Sequence, residues 1–126
     1  MNNYFKINLE FDHDKLEKTI TEVADSSKGY CCFVDSTSLV YAHSHEDFRK
    51  VLNNSVVNSC DGSYIALMAS MIHHKKLKEY IGPEFFEKYI FHSSKHLIIG
   101  NTETVYRKIK EKVNRRNGSS ENISYF

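Results

Sequence analysis

The strand candidate Val56 to Cys60 runs straight into Asp61-Gly62, and a strongly apolar helical stretch from Tyr64 to Ile72 follows. A carboxylate delivered to a helix start at the end of a strand can act as a general base if a hydroxyl comes within hydrogen-bond reach. Gly62 beside it lets a ligand approach the backbone with no side chain in the way. Two further polar signals close apolar runs: Asp35 after Tyr30 to Val34, and Gly100-Asn101 after Leu97 to Ile99. A second acid on a neighbouring strand would raise the pKa of Asp61 or orient a substrate. Each acid also has a plainer reading, since Asp ahead of a helix often accepts a backbone N–H and caps it. Spacing alone leaves both readings open.

Other candidates carry less. His43-x-His45, His73-His74 and His92-x-x-x-His96 suggest metal ligands, but Ser93-Ser94 interrupts the helical signal of the last pair and no Cys or acid completes a zinc pattern. No metal and no cofactor are expected, and the histidines read as structural or surface residues. Lys75, Lys76 and Lys78 could face an anionic membrane or a phosphate, but a solvated face is the plainer account, since short charge runs are common and worth little unless clustered in space. No Gly-rich phosphate loop, nucleophile elbow or paired-cysteine motif is present. Cys31, Cys32 and Cys60 cannot all pair within the chain and read as buried thiols in a reducing compartment.

The elements that would position these residues alternate. A strand is expected over Tyr4 to Phe11, then a helix carrying Leu16, Ile20 and Val23 behind the capping candidates Asp12 and Asp14. Ser26-Ser27-Lys28-Gly29 breaks the pattern before the strand Tyr30 to Val34. A short helix over Thr37 to Ala42 follows, and Ser44 with Asp47 resembles a capping box for the helix of Phe48, Val51 and Leu52, ended by Asn53-Asn54-Ser55. After the Asp61-Gly62 helix, Gly82-Pro83 marks a turn into a helix over Glu84 to Phe91. A strand over Leu97 to Ile99, a helix over Thr102 to Val113 and a closing strand signal at Ile123 to Phe126 complete the pattern. Such alternation predicts an α/β fold of βα units, with a parallel sheet covered on both faces and ligands bound beyond the carboxyl ends of its strands.

The 126 residues fit a single α/β domain. Seventeen basic against sixteen acidic residues leave a net charge of +1, which gives no electrostatic case for binding nucleic acid. No stretch approaches the roughly 18 apolar residues of a membrane span, and the acidic opening has no secretory run, so a cytoplasmic location is expected.

Taken in order, several segments resemble successive motifs of the WecG/TagA/CpsF glycosyltransferases, glycosyltransferase family 26. These are Val34-Asp35-Ser36-Thr37, His45 to Leu52, Cys60-Asp61-Gly62-Ser63 with its apolar helix to Leu67, Tyr80 to Phe86, and Leu97 to Thr102. The resemblance covers nearly the whole chain and about the amino-terminal two thirds of the family's catalytic domain, so truncation at the carboxy terminus is expected. It implies a Rossmann-like parallel sheet and transfer of an N-acetylmannosamine-like sugar from a UDP donor to a lipid-pyrophosphate-linked acceptor. That chemistry serves bacterial surface polysaccharide synthesis at the inner face of the membrane, with peripheral membrane contact in the full-length enzyme. It also implies Asp61 as catalytic base and Asp35, Thr37, Gly62, Gly82, Gly100 and Asn101 as substrate-binding residues.

The sequence departs from the family at Phe33 and Asp35, where many relatives have Thr and Asn, and at Glu79, where many have Arg. An altered pocket or a distinct subfamily follows. The alternative from another class is a non-catalytic α/β interaction module. A sheet edge left uncovered by truncation predicts self-association.

Overall fold

The chain begins with a hairpin where the sequence predicts one strand from Tyr4 to Phe11. Strands β1 (Asn2–Tyr4) and β2 (Ile7–Leu9) pair antiparallel with Tyr4 opposite Ile7. Phe5 and Lys6 form the connection with φ of 50° and 66°. Two successive left-handed residues make the tight turn that matches strand twist, but Phe-Lys carries none of the Asn-Gly chemistry that announces it. The Asn53 side chain holds the turn by donating to the Lys6 carbonyl at 2.9 Å.

The computed structural model describes residues 2–26 and 28–126, so Ser27 of the expected break lies outside the described residues. The chain forms two units, the first ending at Gly82 and the second running from Pro83 to Phe126.

In the first unit, Asp12 starts α1 (His13–Ser26) by accepting the Lys15 amide at 3.1 Å. Gly29 then turns the chain at φ +104°, and a β-carbon there would lie 2.6 Å from the Val56 side chain. Strand β3 (Cys31–Val34) pairs in parallel with β4 (Val57–Cys60), Val34 opposite Cys60. β2 runs on into Glu10, which bridges Ser59 in parallel and donates its amide to the Asn58 carbonyl at 2.9 Å. β4 is thus flanked on both sides, and all four of its residues are buried.

Between β3 and β4 the chain forms α2 (Ser36–Ser44) and α3 (Glu46–Asn53). The predicted capping box at Ser44 does not form: α2 extends through Ser44, and His45 caps α3 without a side-chain bond. Helix α4 (Ser63–His73) follows β4 and buries Ile65, Ala66 and Ala69. They join Ile7, Leu9, Val34, Leu39 and Leu52 in one apolar core.

The second unit contains α5 (Gly82–Tyr89, which starts in the first), β5 (His96–Ile98), α6 (Glu103–Asn117) and β6 (Ile123–Tyr125). Thr102 caps α6 by accepting the Val105 amide, and Gly118 ends it in the left-handed conformation. β5 and β6 pair in parallel through α6, and Ile90, Ile98, Val113 and Ile123 form the core. Among the described residues the architecture is therefore mixed α/β with six helices and short strand pairs. The described strands form three two-stranded sheets, and no sheet closes among them.

Candidate functional site

β3 and β4 end in register, so Asp35 and Asp61 leave the same end of two neighbouring strands, about 4.8 Å apart. The Asp61 amide continues the ladder by donating to the Val34 carbonyl at 2.9 Å. On the other side of β4, the Tyr80 amide donates to the Cys60 carbonyl at 3.0 Å and the Ser59 hydroxyl to the Tyr80 carbonyl at 2.7 Å. Residues 80–82 are thereby fastened beside Asp61.

The two acids have different partners. Asp35 caps α2, its carboxylate accepting the Ser38 amide at 2.7 Å, and that bond holds it below the ordinary Asp range. Asp61 is not a helix cap: Gly62 occupies the cap position of α4 and makes no side-chain cap bond. The half-buried Asp61 carboxylate instead accepts the Gly82 amide at 3.3 Å. The plain capping reading thus holds at Asp35 and fails at Asp61.

Thr37 is exposed in the first turn of α2, close in sequence to Asp35. Gly62 and Gly82 are half-buried beside Asp61, and neither has the left-handed backbone that would require glycine. Gly100 does, at φ +91°, and a β-carbon there would meet nothing within 4 Å. Gly100 and Asn101 belong to the second unit, where the Asn101 carbonyl accepts the Tyr125 hydroxyl.

Sequence reasoning missed the Gly82 contact and the burial of Asn58 and Ser59. No spacing announces a bond between residues 21 apart, and polar residues in a short strand read as surface.

Most of the histidines meet aromatic rings. His45 stacks on Tyr41, His92 stacks on Tyr89, and His73 meets Tyr4 edge-on. Among the described residues no three His, Cys, Asp or Glu side chains gather to hold a metal. The cysteines are free thiols; Cys60 is buried, which pushes its pKa up to about 11, whereas Cys31 and Cys32 are only partly buried.

Loops carrying acids and glycines at the carboxyl ends of parallel strands are the ligand-binding end of an α/β protein. The chain belongs to the WecG/TagA/CpsF family of glycosyl transferases, whose model matches residues 4–124. Family membership points to glycosyl transfer, with a nucleotide-sugar donor and a lipid-linked acceptor in general. A search of curated proteins found no match. No helix among the described residues is long and apolar enough to cross a membrane.

Proposed function

We propose that this chain carries the catalytic base of a glycosyltransferase that moves an N-acetylmannosamine-like sugar from a UDP donor to a lipid-pyrophosphate-linked acceptor. The observation that carries this reading is Asp61: a half-buried carboxylate at the end of the central strand, with no helix cap to serve and, among the described residues, one backbone amide, that of Gly82, as its partner. A carboxylate so placed has lone pairs left for a substrate hydroxyl.

In the reaction, the acceptor hydroxyl oxygen attacks the anomeric carbon, the bond to UDP breaks, and Asp61 takes the hydroxyl proton. UDP leaves with the bonding electron pair. Gly62 and Gly82 leave room beside the carboxylate, while Asp35, Thr37, Gly100 and Asn101 contribute to holding the substrates. In this reading residues 1–126 work as one α/β domain whose strand pairs belong to a Rossmann-like sheet. The protein acts in bacterial surface polysaccharide synthesis on the cytoplasmic face of the membrane, where the acceptor lipid lies.

The test is Asp61→Asn in the protein at its full encoded length. Asparagine keeps an oxygen for the Gly82 amide and loses the proton acceptor. Sugar transfer should fall at least about a hundredfold, with UDP affinity within a few-fold of the parent. Turnover close to the parent's would sink the base assignment. A parent protein that neither binds UDP nor transfers sugar would favour the non-catalytic interaction module.

A further inference from the structure

Residues 76–81 link α4 to α5 without helix or strand structure, yet the first unit binds this segment at successive points. The Leu77 amide donates to the Ser70 hydroxyl at 2.8 Å, and the Lys78 carbonyl accepts His13 Nε2–H at 3.1 Å. Tyr80 is tied to β4 through both of its backbone groups, its amide at Cys60 and its carbonyl at the Ser59 hydroxyl. Gly82 then donates its amide to Asp61 Oδ2. A connection of this length needs no such anchoring merely to join two helices.

The Tyr80 side chain adds a further hold. It is 4% exposed, its hydroxyl donates to Glu17 Oε1 at 2.7 Å, and its ring meets the His13 ring edge-on at 4.7 Å. His13 and Glu17 lie four residues apart on α1, so they share one face of the helix and hold the same side chain. A hydroxyl buried with its carboxylate partner is costly to turn away, which fixes Tyr80 in direction as well as in place. Because that hydroxyl bonds to α1 and not to a ligand, any effect it has on chemistry must pass through the backbone.

We propose that Tyr80 and Glu17 are positioning residues for Asp61, an inference that rests on the reading of Asp61 as the base. A base must aim a lone pair at the hydroxyl it deprotonates, and a misplacement of about 1 Å costs on the order of a hundredfold. The Gly82 amide on Oδ2 sets the rotation of the Asp61 carboxylate and leaves Oδ1 to the acceptor hydroxyl. Gly82 has no side chain with which to anchor itself. Its place follows from Tyr80 two residues earlier, which β4 holds by the backbone and Glu17 by the side chain. Loss of the Tyr80–Glu17 bond frees the segment to shift along β4, and the carboxylate turns with it.

Tyr80→Phe keeps the ring and removes the bond, Glu17→Ala removes it from the other partner, and Glu17→Gln keeps an oxygen able to accept it. In the protein at its full encoded length, Tyr80→Phe and Glu17→Ala should each lower kcat of sugar transfer at least about fivefold with KM within about twofold. Glu17→Gln should stay near the parent. Tyr80→Phe combined with Glu17→Ala should lose no more than either change alone, because both break one bond. Hydrogen exchange gives a readout without turnover: in the two disruptive variants the Gly82 amide should exchange at least about fivefold faster. The Glu10 amide, bonded to the Asn58 carbonyl two residues before Cys60 on β4, should keep its rate. Equal acceleration at Gly82 and Glu10 would show a merely structural role and overturn the proposal. Parent-like kcat in both variants, beside an impaired Asp61→Asn, would overturn it and leave the base reading intact. A parent-like Asp61→Asn would instead overturn the base reading and this proposal with it. If Tyr80→Phe does not fold, the two Glu17 variants carry the same test.

Discussion

Asp35 and Asp61 occupy matching places on neighbouring strands, yet their backbones give them different work. Asp35 is spent on the Ser38 amide, so Asp35→Ala should cost about 1 kcal/mol of stability at neutral pH, read from the denaturant midpoint. Its pKa is depressed in the folded state, so the stability it supplies is present above the unfolded value of about 3.9 and is lost as pH falls through the lower folded value. The gap between parent and variant should accordingly close as pH falls, and a gap that does not narrow in acid would show that the cap does not depend on charge. The glycines beside Asp61 allow a sharper separation of stability from function. A methyl group at Gly82 would meet the Phe33 side chain at 3.6 Å and an Asp61 oxygen at 3.7 Å, which is ordinary contact, and the backbone there is not left-handed. Gly82→Ala should therefore fold with a stability change within about 0.5 kcal/mol. If Asp61 receives a substrate hydroxyl in that space, sugar transfer should drop at the same time, and an unaffected rate would mean that the substrate approaches from elsewhere.

At the scale of elements, buried Asn58 ties three of them together. Its amide nitrogen donates to the Asn8 carbonyl of β2 at 3.1 Å and to the Leu52 carbonyl near the end of α3 at 2.9 Å, while its oxygen accepts the Ser55 hydroxyl at 2.7 Å. Asn58→Ala leaves those groups without their partner in a site closed to water, and should destabilise by about 2–4 kcal/mol in urea unfolding. A loss under about 0.5 kcal/mol would mean that water replaces the side chain. The same elements mark what the sequence made legible. Helices α1, α4 and α6 were readable because apolar spacing, a cap or a helix-ending glycine agreed at each, and the closing strand was visible in Ile123-Ser124-Tyr125. The Phe5-Lys6 turn was not, because its residues lack turn chemistry and the tertiary contact from Asn53 holds it. The capping box failed because α2 runs on through Ser44, leaving no free residue with the extended backbone of a cap except His45. The place of Asp61 in the chain was legible from strand giving way to helix; its partner was not, because tertiary pairing beside β4 brings Gly82 there.

For the molecule as a whole, the thiols make stability depend on alkaline pH. Burial raises the pKa of Cys31, Cys32 and Cys60 alike, and that of Cys60 reaches about 11. Each thiol ionises more readily in the unfolded chain, where the pKa is about 8.5. Above that value the unfolded state binds fewer protons than the folded state, so folding stability must fall as pH rises, and it continues to fall until the folded thiols also ionise. Cys60 dominates because it lies in the core with 1% of its surface exposed, directly before Asp61. Urea unfolding at about pH 7, 8.5 and 10 should therefore show an alkaline decline in the parent that is shallower in Cys60→Ala, whatever that substitution costs at neutral pH. The difference between the two slopes is the quantity to read, since every other group is shared by both proteins. Equal slopes would mean that water reaches Cys60 in the folded state. In that event iodoacetamide at about pH 8 should label Cys60 in the native chain as fast as in the unfolded one, whereas a thiol held neutral by burial should stay unlabelled until the chain opens.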